Sequence, residues 1–383
     1  MTFIKPVANS TPLSAGVLNS PPEDPALLPE KSFQRMISLE RKRSERSRKA
    51  FLLMVLDTGT NSQSKRGSRV FLDIASVLAK STRETDLKGW YRDGCVMGVM
   101  FTEFGASDPR TILSTMLARI SDALRTSMPL EQFGRMNISL HLFPEDWSEP
   151  VDESPSNPAF YPDLTRRNES RRALRILKRA IDVVVAGGGL LFSSPMFLII
   201  AACIKLTSKG PVFFQQRRIG QYGVPFTFLK FRSMYAGNSP DVHREYVRKL
   251  IAGEVADAPH GNGQVVYKLT ADSRVTMVGR ILRRTSVDEL PQLLNVLRGE
   301  MSLVGPRPAL AYEVEAYEVW HRSRLLEAKP GITGLWQVNG RSRVKFDDMV
   351  RLDLRYARSW SPWLDIKIIL RTPLAVVLGE GAY

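Results

Sequence analysis

One apolar run does most to restrict what this chain can fold into: residues 181–206, IDVVVAGGGLLFSSPMFLIIAACIKL, whose ionisable side chains, Asp182 and Lys205, lie at its ends. As a straight helix, about 25 residues rising about 1.5 Å each would reach roughly 38 Å, enough to cross a bilayer. The flanks argue for a different path. Arg166, Arg167, Arg171, Arg172, Arg175, Lys178 and Arg179 lie upstream, and Lys205, Lys209, Arg217 and Arg218 downstream. Cytoplasmic flanks attract Lys and Arg, so a basic excess on both sides favours a segment that returns to the face it entered from. Near the middle stands Ser193-Ser194-Pro195. A mid-helix proline removes one backbone hydrogen bond and clashes with the preceding turn, which supplies a bend, and the Ser194 hydroxyl is placed to satisfy the freed carbonyl. The expectation is a re-entrant helical hairpin over about 178–206, opening on Lys178 and Arg179 and turning at Ser194-Pro195, with both halves in one leaflet. The alternatives are a single span kinked at Pro195 and a soluble core helix; three consecutive glycines and the length weigh against the latter. Trp360, Trp363 and the apolar run from Ile366 to Leu378, broken by Lys367 and Arg371, suit a second helix at the headgroups or an ordinary amphipathic core helix.

Charge is distributed unevenly. Residues 1–165 hold 20 basic and 20 acidic side chains, so the whole formal excess of +15 lies in the rest of the chain, which should seek anions. No recognised nucleic-acid module and no basic-aromatic interleaving accompany it, so a nucleic-acid partner is not expected. Cys95 and Cys203 lie far apart, suggesting neither a disulfide framework nor a zinc site. The first residues lack the apolar core of a secretory signal, so the N-terminal domain is expected to stay in the cytoplasm.

Residues 1–30, rich in Pro, Ser and Asn, read as a disordered tail. Over 31–145 a basic helix-compatible stretch is followed by a strand (50–57), a helix (69–80), a strand (95–104), a helix (109–125) and a strand (137–144), which together make a small α/β sandwich. Residues 146–170, rich in proline and acids without periodicity, read as a linker, and 171–383 as a second domain. The fold class is therefore mixed α/β. The order helix, strand, helix, hairpin, helix, strand resembles a nucleotide-cyclase-like domain of the diguanylate cyclase (GGDEF) type. Where that family carries its Gly-Gly-Asp/Glu-Glu-Phe turn, this chain has Trp90-Tyr91-Arg92-Asp93-Gly94-Cys95, and only Asp57 sits where a first metal carboxylate belongs. Without the paired acid, metal-assisted cyclisation lacks its charge clamp. A catalytically silent domain is expected, one that regulates, joins a homodimer or binds a partner.

Four clusters follow the apolar run. The first is Gly210-Pro211-Val212-Phe213-Phe214-Gln215-Gln216-Arg217-Arg218-Ile219-Gly220 with Phe228-Leu229-Lys230-Phe231-Arg232-Ser233-Met234; the second is Ser286-Val287-Asp288-Glu289-Leu290-Pro291-Gln292-Leu293-Leu294-Asn295. The third is Met301-Ser302-Leu303-Val304-Gly305-Pro306-Arg307-Pro308, and the fourth Lys329-Pro330-Gly331-Ile332-Thr333-Gly334-Leu335-Trp336-Gln337. Asp288 and Glu289 adjoin a run that should be helical. Either Ser286 and Glu289 form a capping box, or the helix begins nearer Asp288 and Pro291 falls in its first turn, where a missing N–H costs nothing. In both cases the acids lie near free amide donors and the positive end of a helix dipole. Taken alone, two such acids merely cap a helix. Arg280, Arg283 and Arg284 before them, and Arg298 and Arg307 after, let the cluster hold a metal and several phosphate oxygens at once. Arg307, between two prolines, is presented with little entropy loss, and Gly331 and Gly334 suit turns or close backbone approach.

The four clusters, in this order behind Lys178-Arg179 and a Ser-Pro-broken apolar run, resemble the bacterial sugar transferase family, the small monotopic polyprenyl-phosphate phosphoglycosyl transferases. The resemblance runs from about Leu177 to Tyr383. It implies a monotopic enzyme on the cytoplasmic face of the bacterial inner membrane, in contact with its lipid. Such an enzyme moves a sugar 1-phosphate from a UDP-sugar to undecaprenyl phosphate. It also implies that Asp288 is the nucleophile, that Glu289 either helps hold Mg²⁺ or tunes the acceptor phosphate, and that Lys230 and Arg232 form the family's basic pair. Arg283, Arg298 and Arg307 complete the expected phosphate-binding set. Carboxylate and phosphate oxygens are hard ligands, so Mg²⁺ is the expected ion, with Asp288 and Glu289 as its protein ligands. The rival reading, a non-catalytic basic membrane scaffold, accounts for the charge and the hairpin but leaves two acids among arginines without a purpose.

Overall fold

The computed structural model describes residues 27–59, 65–102, 109–145, 156–235, 241–254, 259–260, 264–265, 274–340 and 344–377. Residues 1–26 of the expected tail and 146–155 of the expected linker lie outside them.

The N-terminal half runs α1 (Glu30–Ser47), β1 (Phe51–Asp57), α2 (Lys65–Ser81), β2 (Leu87–Arg92), β3 (Val96–Phe101), α3 (Pro109–Ser127), the short α4 (Leu130–Phe133) and β4 (Asn137–Phe143). The strands form one antiparallel sheet in the order β2-β3-β1-β4, the split βαβ arrangement. The central strands β1 and β3 are apolar on both faces and so need cover on both. Leu52, Met54 and Leu56 meet Ile74 and Leu78 of α2 and Ile120 and Leu124 of α3. Phe51 and Leu53, on the opposite face, meet Phe33 and Ile37 of α1. Gly89 and Gly98 leave the space that the Phe33 side chain fills; a Cβ at either would collide with it.

That second cluster continues past the expected domain boundary. It takes in Phe160, Tyr161 and Leu164, then Tyr317, Leu325, Leu326, Phe346 and Val350 of the C-terminal half. One expectation is corrected here. Residues 156–170 are not a linker: Pro158–Phe160 form a 3₁₀ turn and Pro162–Ser170 a helix, α5. Each proline occupies a first helical position, where it lacks nothing the helix needs, and the Asn157 side chain accepts from the amide of Ala159 at 2.9 Å. Beside the clusters confined to each half, one core is shared between them. Arg41 of α1, 6% exposed, lies 4.6 Å from the Tyr161 ring centroid and pairs with Asp163 at 3.1 Å.

The C-terminal half is largely helical: α6 (Arg172–Thr207), β5 (Phe213–Ile219), β6 (Pro225–Phe231), α7 (Asp241–Ile251), the two-residue strands β7 (Pro259–His260) and β8 (Gln264–Val265), α8 (Met277–Arg284), a 3₁₀ turn (Val287–Glu289) and α9 (Gln292–Arg298). There follow β9 (Ser302–Val304), α10 (Ala311–Glu315), α11 (Val319–Glu327), β10 (Gly331–Thr333), α12 (Leu335–Asn339), α13 (Phe346–Ser359) and α14 (Pro362–Val377). β5 and β6 form an antiparallel hairpin, and β9 and β10 a parallel pair.

α6 is one continuous 36-residue helix with Pro195 inside it, where two separate half-helices were expected. The Leu191 carbonyl, which would have bonded the missing N–H of Pro195, accepts from the Ser194 hydroxyl at 2.8 Å, so the proline leaves no orphan. Both halves of α6 pack on the same body. In the first, Lys178 pairs with Asp365 at 2.6 Å, Arg179 donates to the carbonyls of Val296 and Leu297, and buried Asp182 accepts from the Ser302 hydroxyl and the Leu303 amide, each at 3.0 Å. Lys178 and Arg179, expected at a membrane flank, thus fasten the helix to α9, β9 and α14. In the second half, the Phe197 and Phe231 rings stand 5.0 Å apart, and Ile200 and Ile204 pack with Phe231 and Leu282. Val184, Leu191, Phe192, Leu198, Ile199 and Leu206 point away from the body and are exposed, as are Trp363, Ile366, Leu370 and Leu374 of α14. Among the described residues α6 is the one helix long and apolar enough to cross a membrane.

Candidate active site

The second motif folds as a tight passage between α8 and α9. Thr276 caps α8, its hydroxyl accepting from the Gly279 amide at 2.9 Å. Gly279 rests against the Ser233 backbone, where a Cβ has no room. That approach brings the Arg283 Nε to the Ser233 hydroxyl at 2.9 Å. Ser286 turns the chain with a left-handed φ of 56° and makes no capping hydrogen bond, so the capping box does not form. Asp288 and Glu289 sit in their own 3₁₀ turn, and α9 begins only at Gln292 with Pro291 as its N-cap, so Pro291 lies just before the first turn where the second expected arrangement put it inside.

The β5–β6 hairpin supplies the opposing wall. Its pairing of Phe214 with Lys230, Gln216 with Phe228 and Arg218 with Phe226 puts these six side chains on one face. The Lys230 ammonium lies 5.0 Å from the Phe214 ring centroid, and the Arg218 guanidinium 4.4 Å from that of Phe228. Asp288 is 6% exposed. Burial, with Glu289 adding, raises its carboxyl to about 6 against the opposing pull of Lys230 and Arg283. Burial lowers Lys230 to about 8, against Asp288, while Arg218 and Arg283 push the same way as burial. Burial thus draws both groups toward their neutral forms, and the charge of each opposes the shift of the other.

The third motif forms the rim. Gly305 runs against Gly331 and Gly334 with no room for a side chain on any of the three, as expected for close backbone approach. The Arg307 side chain is exposed while its carbonyl accepts from Arg324 Nη2 at 3.2 Å, and the next carbonyl, of Pro308, accepts from Arg218 Nη1 at 2.7 Å. Two buried guanidiniums therefore hold the backbone of this loop. Arg218 itself is lowered to about 10, first by burial and then by Arg307, with Glu313 and Glu289 opposing.

Asp288, Glu289, Lys230 and Arg283 thus influence one another electrostatically, and Arg307 joins them through its effect on Arg218, which in turn acts on Lys230. Arg232 is engaged elsewhere: its guanidinium donates to the Ser208 and Lys209 carbonyls at 2.7 and 2.8 Å, closing the end of α6. Arg298 is exposed in the last turn of α9, separated from the acid turn by a helix about 10 Å long. Arg218 was not singled out from the sequence. The alternation of a hairpin facing Lys230 was the available signal, since it selects Arg218 over Arg217. The described residues contain no group of three or more metal-ligating side chains. Asp288 and Glu289, as hard carboxylate donors, are the residues here that would hold a Mg²⁺ ion.

Among known proteins, a family model described as bacterial sugar transferase matches residues 173–379. The exopolysaccharide production protein ExoY of Rhizobium meliloti (strain 1021) is 41% identical over 233 residues, 60% of this chain and 97% of that one. A UDP-glucose:undecaprenyl-phosphate glucose-1-phosphate transferase of Caulobacter vibrioides is 40% identical over 61% of this chain and 82% of its own length. An undecaprenyl-phosphate galactose phosphotransferase of Salmonella typhimurium is 41% identical over 57% of this chain, which spans 44% of its length. The N-terminal half has a slight likeness, TM-score 0.26 at 17% identity over 31% of this chain and 84% of the other, to a DGC protein from Thermotoga maritima; at that score it bears no argument. More than half of the chain, including every element that frames Asp288, falls inside the family match, and on this ground the chain belongs to the bacterial sugar transferase family.

Proposed function

We propose that this protein transfers a sugar 1-phosphate from a UDP-sugar to undecaprenyl or a related polyprenyl phosphate, giving polyprenyl-diphosphate-sugar and UMP. This is the first membrane step of exopolysaccharide, capsule or related glycan assembly. The observation that carries the reading is the buried Asp288 facing Lys230 and Arg283, on the body that grips both halves of α6. The Caulobacter and Salmonella relatives, named for glucose and galactose transfer, make UDP-glucose and UDP-galactose the first donors to try.

In this reading an Asp288 carboxylate oxygen attacks the phosphorus next to the sugar. The bond from that phosphorus to the bridging oxygen breaks, and UMP leaves with the electron pair. A polyprenyl phosphate oxygen then attacks the same phosphorus and expels the Asp288 carboxylate. Two mutually repelling anions visit one site in turn, which is the advantage of a covalent intermediate and implies ping-pong kinetics. Lys230, Arg283 and Arg307 offset the charge of the diphosphate and of the acceptor. Asp288 and Glu289 would hold Mg²⁺, which when bound polarises the diphosphate.

The membrane topology in this proposal is re-entrant. Arg179 and Asp182 near one end of α6, and Ile204 and Ser208 at the other, contact one body. A straight span would leave one of these ends on the far side of the bilayer, out of its reach. The exposed apolar faces of α6 and α14 would enter one leaflet, with the enzyme on the cytoplasmic face.

Purified protein in lipid, given Mg²⁺, UDP-glucose or UDP-galactose and undecaprenyl phosphate, is expected to release UMP, and Asp288→Asn to stop it. Without acceptor, donor labelled in the sugar phosphate should leave label on the polypeptide. Normal UMP release by the variant would remove Asp288 from its role; none by wild type with any UDP-sugar would favour the scaffold.

A further inference from the structure

We infer that Asn295 is a positioning residue that sets the distance between the hairpin bearing Lys230 and the turn bearing Asp288; the inference rests on the catalytic reading above. Among the described residues the sheet containing β6 has two strands, and one edge of β6 has no strand beside it. On that edge the carbonyl of Thr227 and the amide of Leu229 need partners. Asn295 of α9, 0% exposed, provides both: its Oδ1 accepts from the Leu229 amide at 3.2 Å, and its Nδ2 donates to the Thr227 carbonyl at 2.7 Å. A carboxamide carries the acceptor and donor that a neighbouring strand would present. Its second N–H donates to the Glu300 carboxylate at 2.6 Å, which fixes which way the amide points.

Lys230 follows Leu229 directly, and Asp288 precedes Asn295 by seven residues, through the 3₁₀ turn and the first turns of α9. One side chain therefore ties the strand that carries the amine to the helix that follows the acid. α9 has little freedom of its own: Arg179 donates to the Val296 and Leu297 carbonyls and Lys329 to that of Gly299 at 2.7 Å, while the Asn295 carbonyl accepts from the amides of Glu300 and Met301. With α9 held at its C-terminal end, the carboxamide decides how β6 lies along it.

The test is a double-mutant cycle on turnover with radiolabelled donor, with melting temperature recorded beside it. In the wild-type background Asn295→Ala is expected to lower kcat at least tenfold. In a Lys230→Met background, where no ammonium remains to be placed, the same substitution should change kcat less than twofold, although it lowers the melting temperature equally in both. If the two losses multiply, Asn295 only supports the fold and the inference falls, while UMP release by wild type leaves the proposed function standing. If Lys230→Met turns over at the wild-type rate, there is nothing to position and the inference falls as well. Should Asn295→Ala fail to fold, Asn295→Asp, which keeps the acceptor for Leu229 and loses both donors, takes its place. Lys230→Gln, which also removes the cation, replaces Lys230→Met if the latter has no measurable rate.

Discussion

Replacing Asp353 with alanine probes the buried ion pair that underlies the Arg307 loop. Asp353 of α13 and Arg324 of α11 stand 2.6 Å apart with side chains 1% and 3% exposed. Arg324 also donates to the Arg307 carbonyl at 3.2 Å and the Tyr317 hydroxyl at 3.4 Å. Those neutral acceptors do not replace a counter-charge, so Asp353→Ala leaves a guanidinium uncompensated in the core. The expected loss is about 3–5 kcal/mol, the range for breaking a buried pair from one side. At a few degrees per kcal/mol this is a fall of roughly 6–20 °C in melting temperature. The double variant Arg324→Leu/Asp353→Leu removes both charges and should recover most of that loss. It also removes the donor to the Arg307 carbonyl, so its UMP release should stay low although its stability returns. Thermal unfolding followed by tryptophan fluorescence in detergent, beside the UMP assay, separates the two effects. A single variant melting within 2 °C of wild type, about a kcal/mol or less, or a double variant no more stable than the single, would refute the reasoning.

Asp288 makes a prediction in which the sign matters. Its carboxyl is raised to about 6, so the folded state holds a proton that the unfolded chain has lost between about pH 4 and 6. The stability this confers is complete below the unfolded value and is lost as pH rises through 6. Asp288→Asn should therefore melt higher than wild type at pH 7.5, and wild-type UMP release should fall about tenfold per unit below pH 6; a flat profile from pH 5 to 7 would contradict it. Arg232→Met should lower the melting temperature and leave KM for the UDP-sugar within twofold, because its donors serve the end of α6; a tenfold rise in KM would return it to phosphate binding. In a protein carrying Cys95→Ser and Cys203→Ser, cysteines placed at Ser170 and Lys209 should react with an impermeant label from the same membrane face. Reaction from opposite faces would make α6 a span.

The catalytic turn was legible because its chemistry is local. Asp288, Glu289 and Pro291 are neighbours in the chain, and an acid pair followed by a proline belongs just ahead of a helix, which is where they stand although the helix begins later than either expected arrangement had it. The Ser194 hydroxyl bonding the Leu191 carbonyl was legible for the same reason, since donor and acceptor are three residues apart. The basic residues were legible only as a set. Arg218 and Arg232 are both buried, yet one holds the loop beside Arg307 and the other the end of α6. A guanidinium can donate to carbonyl, carboxylate or phosphate alike, so its partner depends on which of these the fold brings within about 3 Å.

From the amino-acid sequence alone came the apolar helix, the α/β alternation of the N-terminal half, the acid turn and the family, all of which rest on short-range periodicity or contiguous motifs. Tertiary structure decided what joins them. It closed one core across both halves through Phe160, Tyr161 and Leu164, it used Lys178, Arg179 and Arg232 as fastenings, and it set Asn295 against the open edge of β6. Each of these pairs residues dozens to hundreds of positions apart. Such contacts follow from how buried surfaces fit together, and no local pattern encodes that fit.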